Sequence, residues 1–270
     1  MTEAGKEAVG PKSGMTGGAA TDAPASAAES YWDAVENLWQ EVRAAESAAL
    51  QRAARTVAEA VMAGRNIWAF GATHSSLLTG ELVYRAGGLA IINPIFAPGL
   101  TVNERPLPRT STLEHLSGYA EVVLSGVPVG EGDVLLVFST SGRNAVPVEM
   151  AMAARSRGAT VVAFTSKRYA VVAPPDDPPG RYLHDVADIV VDTHVPVGDA
   201  AVVVAGMDMP VGPASTVVGA LLANGLVCQV VEDLAQRGVR PPVFVSGNVP
   251  GGTEANRQTL TAYRGRIHYM

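Results

Sequence analysis

The residues of this chain that are best suited to chemistry form one short polar run, which begins with three hydroxyl side chains and a glycine. The run consists of Ser139, Thr140, Ser141, Gly142, Arg143 and Asn144. It lies between an apolar segment, 133–138, and a segment with helical spacing, 146–157. Short hydroxyl donors and free backbone N–H groups at the start of a helix stabilise a phosphate dianion. Because the run contains no acid and no histidine, it predicts a loop that binds an anion but does not itself transfer protons.

A simpler interpretation is that these hydroxyl groups only cap the following helix, since serine and threonine are common N-caps. One hydroxyl group is enough for a cap, so three in succession favour a ligand-binding loop. Arg143 could support an anion with its planar guanidinium group, or it could lie on the surface. Its position between Gly142 and Asn144 favours the binding role.

A second polar loop, 71–76, follows another apolar segment and also opens a helix. Gly71 permits a tight turn, while Thr73, Ser75 and Ser76 provide donors at the helix start. The glycine-rich fingerprints for dinucleotides and nucleoside triphosphates are absent from the whole sequence, and so is the esterase motif G-x-S-x-G. These absences argue against a nicotinamide enzyme, a nucleotide hydrolase and a serine hydrolase.

Strand-like and helical segments alternate along the chain, which predicts a doubly wound α/β domain. The strand-like segments are 67–70, 89–92, 133–138, 160–164, 186–191 and 242–245, and the helical segments are 31–63, 75–85, 146–157, 215–236 and 253–264. Apolar runs without polar alternation are typical of a parallel sheet that is covered on both faces. Ligands in such sheets bind beyond the carboxyl ends of the strands, so we expect the site in segments 71–76, 139–144 and 192–216.

The last of these segments contains a third polar cluster. Ser215 and Thr216 follow Gly212-Pro213-Ala214 and precede the long helical segment. Ser215 could be the N-cap of that helix, or both hydroxyl residues could contact a ligand. Their place in the pattern of strand ends favours the ligand role.

Charge and composition exclude several classes of function. Lys and Arg number 20 against 26 Asp and Glu, a net charge of −6 without a basic stripe, so nucleic acid is not expected as a partner. The longest apolar stretch, 217–231, is too short for a bilayer, and the N-terminus has no apolar leader. With the single cysteine, Cys228, this predicts a cytoplasmic protein without a membrane contact. Residues 1–28 predict a mobile polar tail before a single domain, 29–270.

The segments 133–144 and 71–75 carry a resemblance to a known family. They are similar to the signature of the SIS (sugar isomerase) domain family, and the similarity extends from about Tyr31 to Arg264. Phosphoheptose isomerases and N-acetylmuramic acid 6-phosphate etherases are its more distant relatives. A narrower group, the sugar isomerase domain-containing proteins, has stretches that resemble 84–90, 211–216 and 248–253.

The resemblance implies a five-stranded parallel sheet in a three-layer α/β/α sandwich of the flavodoxin-like kind, assembled as a homodimer or homotetramer. The N-terminal helix 31–63 could be a dimerisation element or a simple cover of the core. The implied ligand is a sugar phosphate, and no cofactor or metal ion is expected. From the loops and the resemblance together, the residues expected to bind this ligand are Thr73, Ser75, Ser139, Thr140, Ser141, Arg143, Asn144, Ser215 and Thr216.

The expected reaction is isomerisation between an aldose and a ketose phosphate, in which a base removes a proton beside the carbonyl group. Glu81 lies six residues after Ser75 and is one candidate, although it could equally pair with Arg85 on the helix surface. His74 and His194 are the other candidates for proton transfer. The family relatives carry their glutamate further along this helix than Glu81, which leaves the identity of the base open.

Two other functions remain compatible with the same loops. Removal of the same proton could expel a substituent, which would make the protein a lyase or an etherase. A phosphosugar sensor without turnover is the alternative outside the enzymes. Regulatory members of the family usually carry a helix-turn-helix domain, and residues 1–28 are too short and polar to form one, which favours an enzyme.

Overall fold

The structure, a computed structural model, describes residues 26–270 of the chain. Most of the predicted tail, 1–28, therefore lies outside the described residues, and its last residues open helix α1, Ala27–Met62. The side chain of Ser26 accepts a hydrogen bond from the backbone N–H of Glu29 at 3.2 Å, and the Glu29 carboxylate accepts one from the N–H of Ser26 at 2.7 Å. This capping box starts the helix before the predicted residue 31.

The described residues form a central sheet of five parallel strands. These are β1 Ile67–Gly71, β2 Ile92–Ile95, β3 Val134–Phe138, β4 Thr160–Thr165 and β5 Ile189–Asp192. Their order across the sheet is β2, β1, β3, β4, β5, which confirms the doubly wound fold. Phe138 at the end of β3 lies opposite Gly71 of β1 and Phe164 of β4. The loops that follow these strands therefore leave the sheet at nearly the same level.

Helices cover both faces of this sheet and complete the three-layer sandwich. They are α2 Ser76–Leu82, α3 Pro108–Glu114, α4 Tyr119–Ser125, α5 Ala145–Ser156, α6 Leu183–Val186, α7 Ser215–Gln236 and α8 Gly252–Ala262. Helices α1, α2 and α7 pack into the apolar core on one face, and α4, α5 and α6 pack into the core on the other. Each face of the sheet is therefore buried, as its continuous apolar strands require.

Helix α7 is long and apolar enough, by length and composition alone, to cross a membrane. In the fold it packs against α1 and α2 and buries one side in the core. Its buried residues include Val218, Leu222, Leu226, Val230 and Leu234. The packing of α7 against these two helices thus accounts for its apolar composition.

The prediction of a strand over residues 242–245 is wrong. This segment makes a single isolated bridge, between Val243 and Leu89. Pro241 and Pro242 have no backbone N–H group to donate, so a regular ladder cannot form there. The segment instead lies along the chain that leads into β2.

Element boundaries differ from the predicted ones where backbone hydrogen bonds go elsewhere. β2 begins three residues later than predicted because the N–H of Ala90 donates to the carbonyl group of Pro242 at 2.8 Å. α2 ends before residue 85 because Tyr84 has a left-handed φ of 48°. β5 begins after residue 186 because Val186 completes α6.

Several short elements were not predicted from the sequence. They are α3, α4, α6 and an antiparallel hairpin of β6 Ala200–Val202 with β7 Val211–Pro213. The hairpin lies against α1, where the Tyr31 hydroxyl donates to the carbonyl oxygen of Pro213 at 2.7 Å. Its residues fall within the predicted site segment 192–216, so part of that segment has a structural role.

Candidate functional site

The loop after β3, 139–144, turns sharply at Gly142, whose φ is 59°. A Cβ atom at Gly142 would lie 2.4 Å from Oγ1 of Thr165, so only glycine fits without a shift. The N–H of Gly142 donates to Oγ of the buried Ser139 at 3.3 Å, which closes the turn. Four other N–H groups of the loop have no partner among residues 26–270, namely those of Thr140, Ser141, Arg143 and Asn144. Such a turn at a helix start is suited to an anion.

The start of α5 is capped by a residue outside this loop. Oδ2 of Asp176 accepts a hydrogen bond from the N–H of Ala145 at 2.9 Å and lies 2.5 Å from Nδ1 of His115. The loop side chain at the N-cap makes no such bond, so the helix-cap interpretation of the hydroxyl run is wrong. Arg143 contacts the same segment, with Nε donating to the carbonyl oxygen of Pro174 at 2.8 Å and Nη2 lying 3.6 Å from Asp176. Its binding role stays a prediction.

Replacement of this cap gives a first testable consequence. We expect Asp176→Ala to lower the free energy of unfolding by about 1–2 kcal/mol, the usual cost of losing a helix cap. Urea denaturation followed by circular dichroism measures this change. Asp177→Ala alters the exposed neighbour and is the matched control, expected to stay within about 0.5 kcal/mol of the wild type. Equal losses in the two variants would contradict the capping role.

The loop after β1 is held by close backbone packing. A Cβ atom at Gly71 would lie 2.3 Å from the carbonyl oxygen of Ser75, so the chain folds back over the strand end. Thr73 has a left-handed φ of 51°, and its carbonyl oxygen accepts a hydrogen bond from the hydroxyl group of Ser76 at 2.6 Å. The Ser75 side chain makes no capping hydrogen bond within the described chain. Thr73 and Ser75 therefore keep their predicted place at the carboxyl edge of the sheet.

Glu114, the last residue of α3, is the acidic residue that the structure places next to both loops. Its carboxyl group lies close enough to the side chains of Asn144 and Thr73 for both to lower its pKa, and the residue is only 8% exposed. Burial raises the pKa of this carboxyl group and Asp176 adds to the effect, while Asn144, His115 and Thr73 offset part of it. A buried carboxyl group with a raised pKa is a candidate general base.

Glu114 was not predicted from the sequence. It lies on a helix of seven residues in a segment without a motif, so neither spacing nor periodicity marked it. The one usable signal was its position in the connection that follows the second strand, since such connections start at the carboxyl edge. That signal selects a segment of more than twenty residues, 93–117, and not one side chain.

Glu81 has contacts of a different kind. Its carboxylate forms the ion pair with Arg85 that the i,i+4 spacing allowed. Oε1 of Glu81 also accepts a hydrogen bond from Nδ2 of Asn224 on α7 at 2.8 Å. Among residues 26–270 its hydrogen bonds and ion pairs go only to these two side chains, so Glu81 joins α2 to α7, and its role as a base stays a prediction.

His194 lies after β5, between two glutamates of α1. Its Nδ1 atom is 3.1 Å from Oε1 of Glu41, and its Nε2 atom is 3.4 Å from Oε1 of Glu46. His74 is exposed in the first loop. Helix α1 therefore contributes two carboxylates near the carboxyl edge that the sequence did not predict. Across the described chain, no group of three or more His, Cys, Asp or Glu side chains is placed to hold a metal ion.

Ser215 is the first residue of α7, and its hydroxyl group donates to Oδ2 of Asp199 at 2.5 Å. Oδ1 of Asp199 accepts hydrogen bonds from the N–H groups of Ala214 at 3.0 Å and Ser215 at 2.7 Å. Asp199 thus caps the helix, and the interpretation of Ser215 as its N-cap is wrong. A ligand contact at Ser215 or Thr216 stays a prediction.

A doubly wound parallel sheet with glycine turns and unpaired N–H groups at its carboxyl edge has the architecture of proteins that bind small ligands there. Residues 30–166 match the family model of the SIS domain. The chain belongs to the SIS domain family. This agrees with the resemblance drawn from loops 71–75 and 133–144.

Comparisons with individual proteins support the same assignment. A UPF0309 protein of Shouchella clausii is 38% identical over 242 residues, which cover 90% of this chain and 98% of that protein. A UPF0309 protein of Streptomyces griseus is 42% identical over 240 residues, which cover 88% of this chain and 96% of that one. The structure of phosphoheptose isomerase GmhA from Neisseria gonorrhoeae matches with a TM-score of 0.50 at 15% identity, covering 75% of this chain and 95% of that chain. At this identity the likeness shows the fold alone.

Proposed function

We propose that this protein binds a sugar phosphate at the carboxyl edge of its sheet and isomerises it between the aldose and the ketose. The observation that carries the proposal is the position of Glu114. This buried carboxyl group with a raised pKa lies near Thr73 of one polar loop and Asn144 of the other. A base and an anion-binding turn therefore lie side by side, as the reaction requires.

The phosphate group is bound by the loop 139–144. Its unpaired N–H groups donate to the phosphate oxygens, and the hydroxyl groups of Thr140 and Ser141 add further donors. On the other side, Thr73 and Ser75 donate to the hydroxyl groups of the sugar.

Isomerisation of the open-chain sugar moves one carbon-bound proton. The Glu114 carboxylate removes the proton from C2 of the aldose phosphate, and the electrons of that C–H bond form the C1–C2 double bond of an enediol. O1 gains a proton and the hydroxyl group on C2 loses one, and His74 in the first loop carries this transfer. Glu114 then returns its proton to C1, which gives the ketose. Burial helps because a carboxylate with a raised pKa is a stronger base.

A thermal-shift screen tests the binding part of this proposal. Pentose, hexose, heptose and amino-sugar phosphates are each compared with the unphosphorylated sugar. A ligand at about 100 times its Kd adds about 2.7 kcal/mol to the free energy of unfolding, so one phosphorylated sugar is expected to raise the Tm. Its parent sugar is expected to leave the Tm unchanged.

The double variant Ser139→Ala with Ser141→Ala is the control for this screen and should show a much smaller shift. If no sugar phosphate stabilises the wild type, the proposal is wrong. Nuclear magnetic resonance of the products then separates the reactions. A ketose supports the isomerase, an eliminated substituent indicates a lyase or etherase, and binding without any product indicates a sensor.

The predicted homodimer or homotetramer and the cytoplasmic location belong to the same proposal. An exposed apolar surface on α1 and the β6–β7 hairpin supports assembly. Trp32 is 64% exposed, and Val203 and Met209 in the hairpin are 76% and 71% exposed. Exposed apolar patches of this kind commonly mark interaction sites, and we expect a second copy of the chain to cover this one.

A further inference from the structure

A cavity of about 910 Å³ lies on the opposite side of the molecule from the polar loops. It is enclosed by the turn after α2, the segment 244–247, helix α8 and the end of the chain. Helix α2 starts beside the first loop at the carboxyl edge and runs back along the sheet. The turn that follows it, 84–86, therefore lies near the amino edge.

Backbone hydrogen bonds fix the second wall at the same edge. The N–H of Gly87 donates to the carbonyl oxygen of Phe244 at 2.8 Å, and the N–H of Phe244 donates to that of Gly88 at 3.0 Å. These bonds hold Phe244 beside the chain just before β2 begins. The amide side chain of Asn256 in α8 pairs with both backbone groups of Val245 at 2.8 Å, which joins α8 to this wall. The cavity is thus framed by bonded segments.

The charged side chains that line this cavity are all arginines. Arg85, Arg257 and Arg264 line it, and no Asp or Glu of the described chain does. Arg85, in the turn after α2, pairs with Glu81 of that helix, and Arg257 pairs with Glu254 within α8. Arg264 is exposed and has no ion-pair partner among residues 26–270, so its guanidinium group is available to an anion.

The apolar lining offers a surface for a planar group. Tyr84 is 64% exposed and meets Phe244 edge to face, with ring centroids 5.3 Å apart. Tyr84 also has the left-handed φ of 48°, a conformation that a bulky residue rarely adopts. Leu260 and Ile267 line the same cavity. The exposed ring of Tyr84, together with the half-buried Leu260, provides a surface on which a flat heterocycle can stack.

We propose that this cavity binds a nucleoside phosphate, with the base stacked on Tyr84 and the phosphate group on Arg264. Guanidinium groups bind phosphate with two parallel hydrogen bonds, and Arg264 has both of its terminal nitrogens free of ion pairs within residues 26–270 for such a contact. The volume is within the range of about 300–1,000 Å³ that small-molecule sites occupy. This site shares no residue with the proposed sugar-phosphate site, and the inference does not rest on it.

Isothermal titration calorimetry with ADP as the probe tests the proposal. Adenosine and inorganic phosphate are titrated separately. Adenosine provides only the base and inorganic phosphate provides only the phosphate group, so each should bind more weakly than ADP. Arg264→Gln should raise the Kd for ADP about tenfold or more, the effect of losing a charge-assisted contact. Arg52→Gln removes the same charge from the exposed face of α1 and is the matched control, expected to leave the Kd unchanged.

Two further variants make the result decisive. Tyr84→Leu keeps an apolar side chain but removes the ring, and it should weaken the binding of ADP and the binding of adenosine by a similar factor. Ser139→Ala with Ser141→Ala should leave ADP binding unchanged, which separates this site from the carboxyl edge. The proposal is overturned if ADP does not bind at millimolar concentration. It is equally overturned if Arg264→Gln binds ADP as the wild type does, or if the double serine variant loses ADP binding.

Discussion

Glu114→Gln is expected to lower the turnover of the sugar phosphate by about 10²–10⁴-fold, the usual contribution of a general base. Glutamine preserves the size of the side chain and its place near Thr73 and Asn144, but it cannot accept the substrate proton. Binding of the phosphate group should therefore persist. Steady-state kinetics with the sugar phosphate found by thermal shift measure kcat/KM, and calorimetry measures the Kd.

The pH dependence of turnover reports on the same carboxyl group. Glu114 acts only when it is deprotonated, and burial raises its pKa above the ordinary value of 4.5. In the wild type, kcat/KM should therefore fall with decreasing pH at a pH higher than 4.5. This acidic limb should be absent from the residual activity of Glu114→Gln.

The stability of this variant should change in the opposite sense to its activity. A carboxyl group whose pKa is higher in the folded state than in the unfolded state loses its proton more readily on unfolding, so its ionisation favours the unfolded chain. Glu114→Gln should consequently raise the Tm at neutral pH. The gain should disappear below pH 4.5, where the carboxyl group holds its proton in both states.

Two comparisons decide whether the effect belongs to Glu114. Glu131→Gln changes an exposed glutamate ahead of β3, at the other edge of the sheet, and should retain wild-type turnover. Glu81→Gln tests the other candidate base. If Glu81→Gln abolishes turnover while Glu114→Gln remains active, the assignment of the base to Glu114 is wrong.

Gly142→Ala is expected to abolish measurable binding of the sugar phosphate and to lower the free energy of unfolding by about 1–3 kcal/mol. The new Cβ atom would lie 2.4 Å from Oγ1 of Thr165, and alanine is strained at the φ of 59°. The turn must open to relieve the short contact and the backbone strain. This opening displaces the N–H groups that bind the phosphate. Thermal shift with the sugar phosphate and urea denaturation measure the two losses.

The glycine control separates this turn from a general effect of a methyl group. Gly130 has nothing within 4 Å of an added Cβ atom and no left-handed φ, so Gly130→Ala should be neutral or slightly stabilising. Combining Gly142→Ala with Thr165→Ala removes the closest contact and should recover part of the lost stability, while the strain in φ remains. Full ligand binding by Gly142→Ala alone would show that the turn does not form the phosphate site.

The sequence by itself determined three of the five strands of the sheet, and it predicted the edge at which the proposed site lies. The predicted strands 67–70, 133–138 and 160–164 agree with β1, β3 and β4 to within one residue at each end. The predicted helix 215–236 agrees with α7 at both ends. These predictions were possible because both patterns are local. A strand that is buried on both faces has a continuous apolar run, and a helix that is buried on one face has apolar residues at helical spacing. The alternation of strands and helices then places the loops 71–76 and 139–144 at one edge.

Only the tertiary structure decided which charged groups meet at that edge. Glu114 reaches Thr73 and Asn144 through α3, a short helix that periodicity does not reveal, and Asp176 caps α5 from a segment thirty residues further along the chain. Glu46 reaches His194 across almost 150 residues. The raised pKa of Glu114 depends on how completely the fold removes water from its carboxyl group. Desolvation and contacts of this kind depend on many residues that are distant in the chain, so they cannot be predicted from a local sequence pattern.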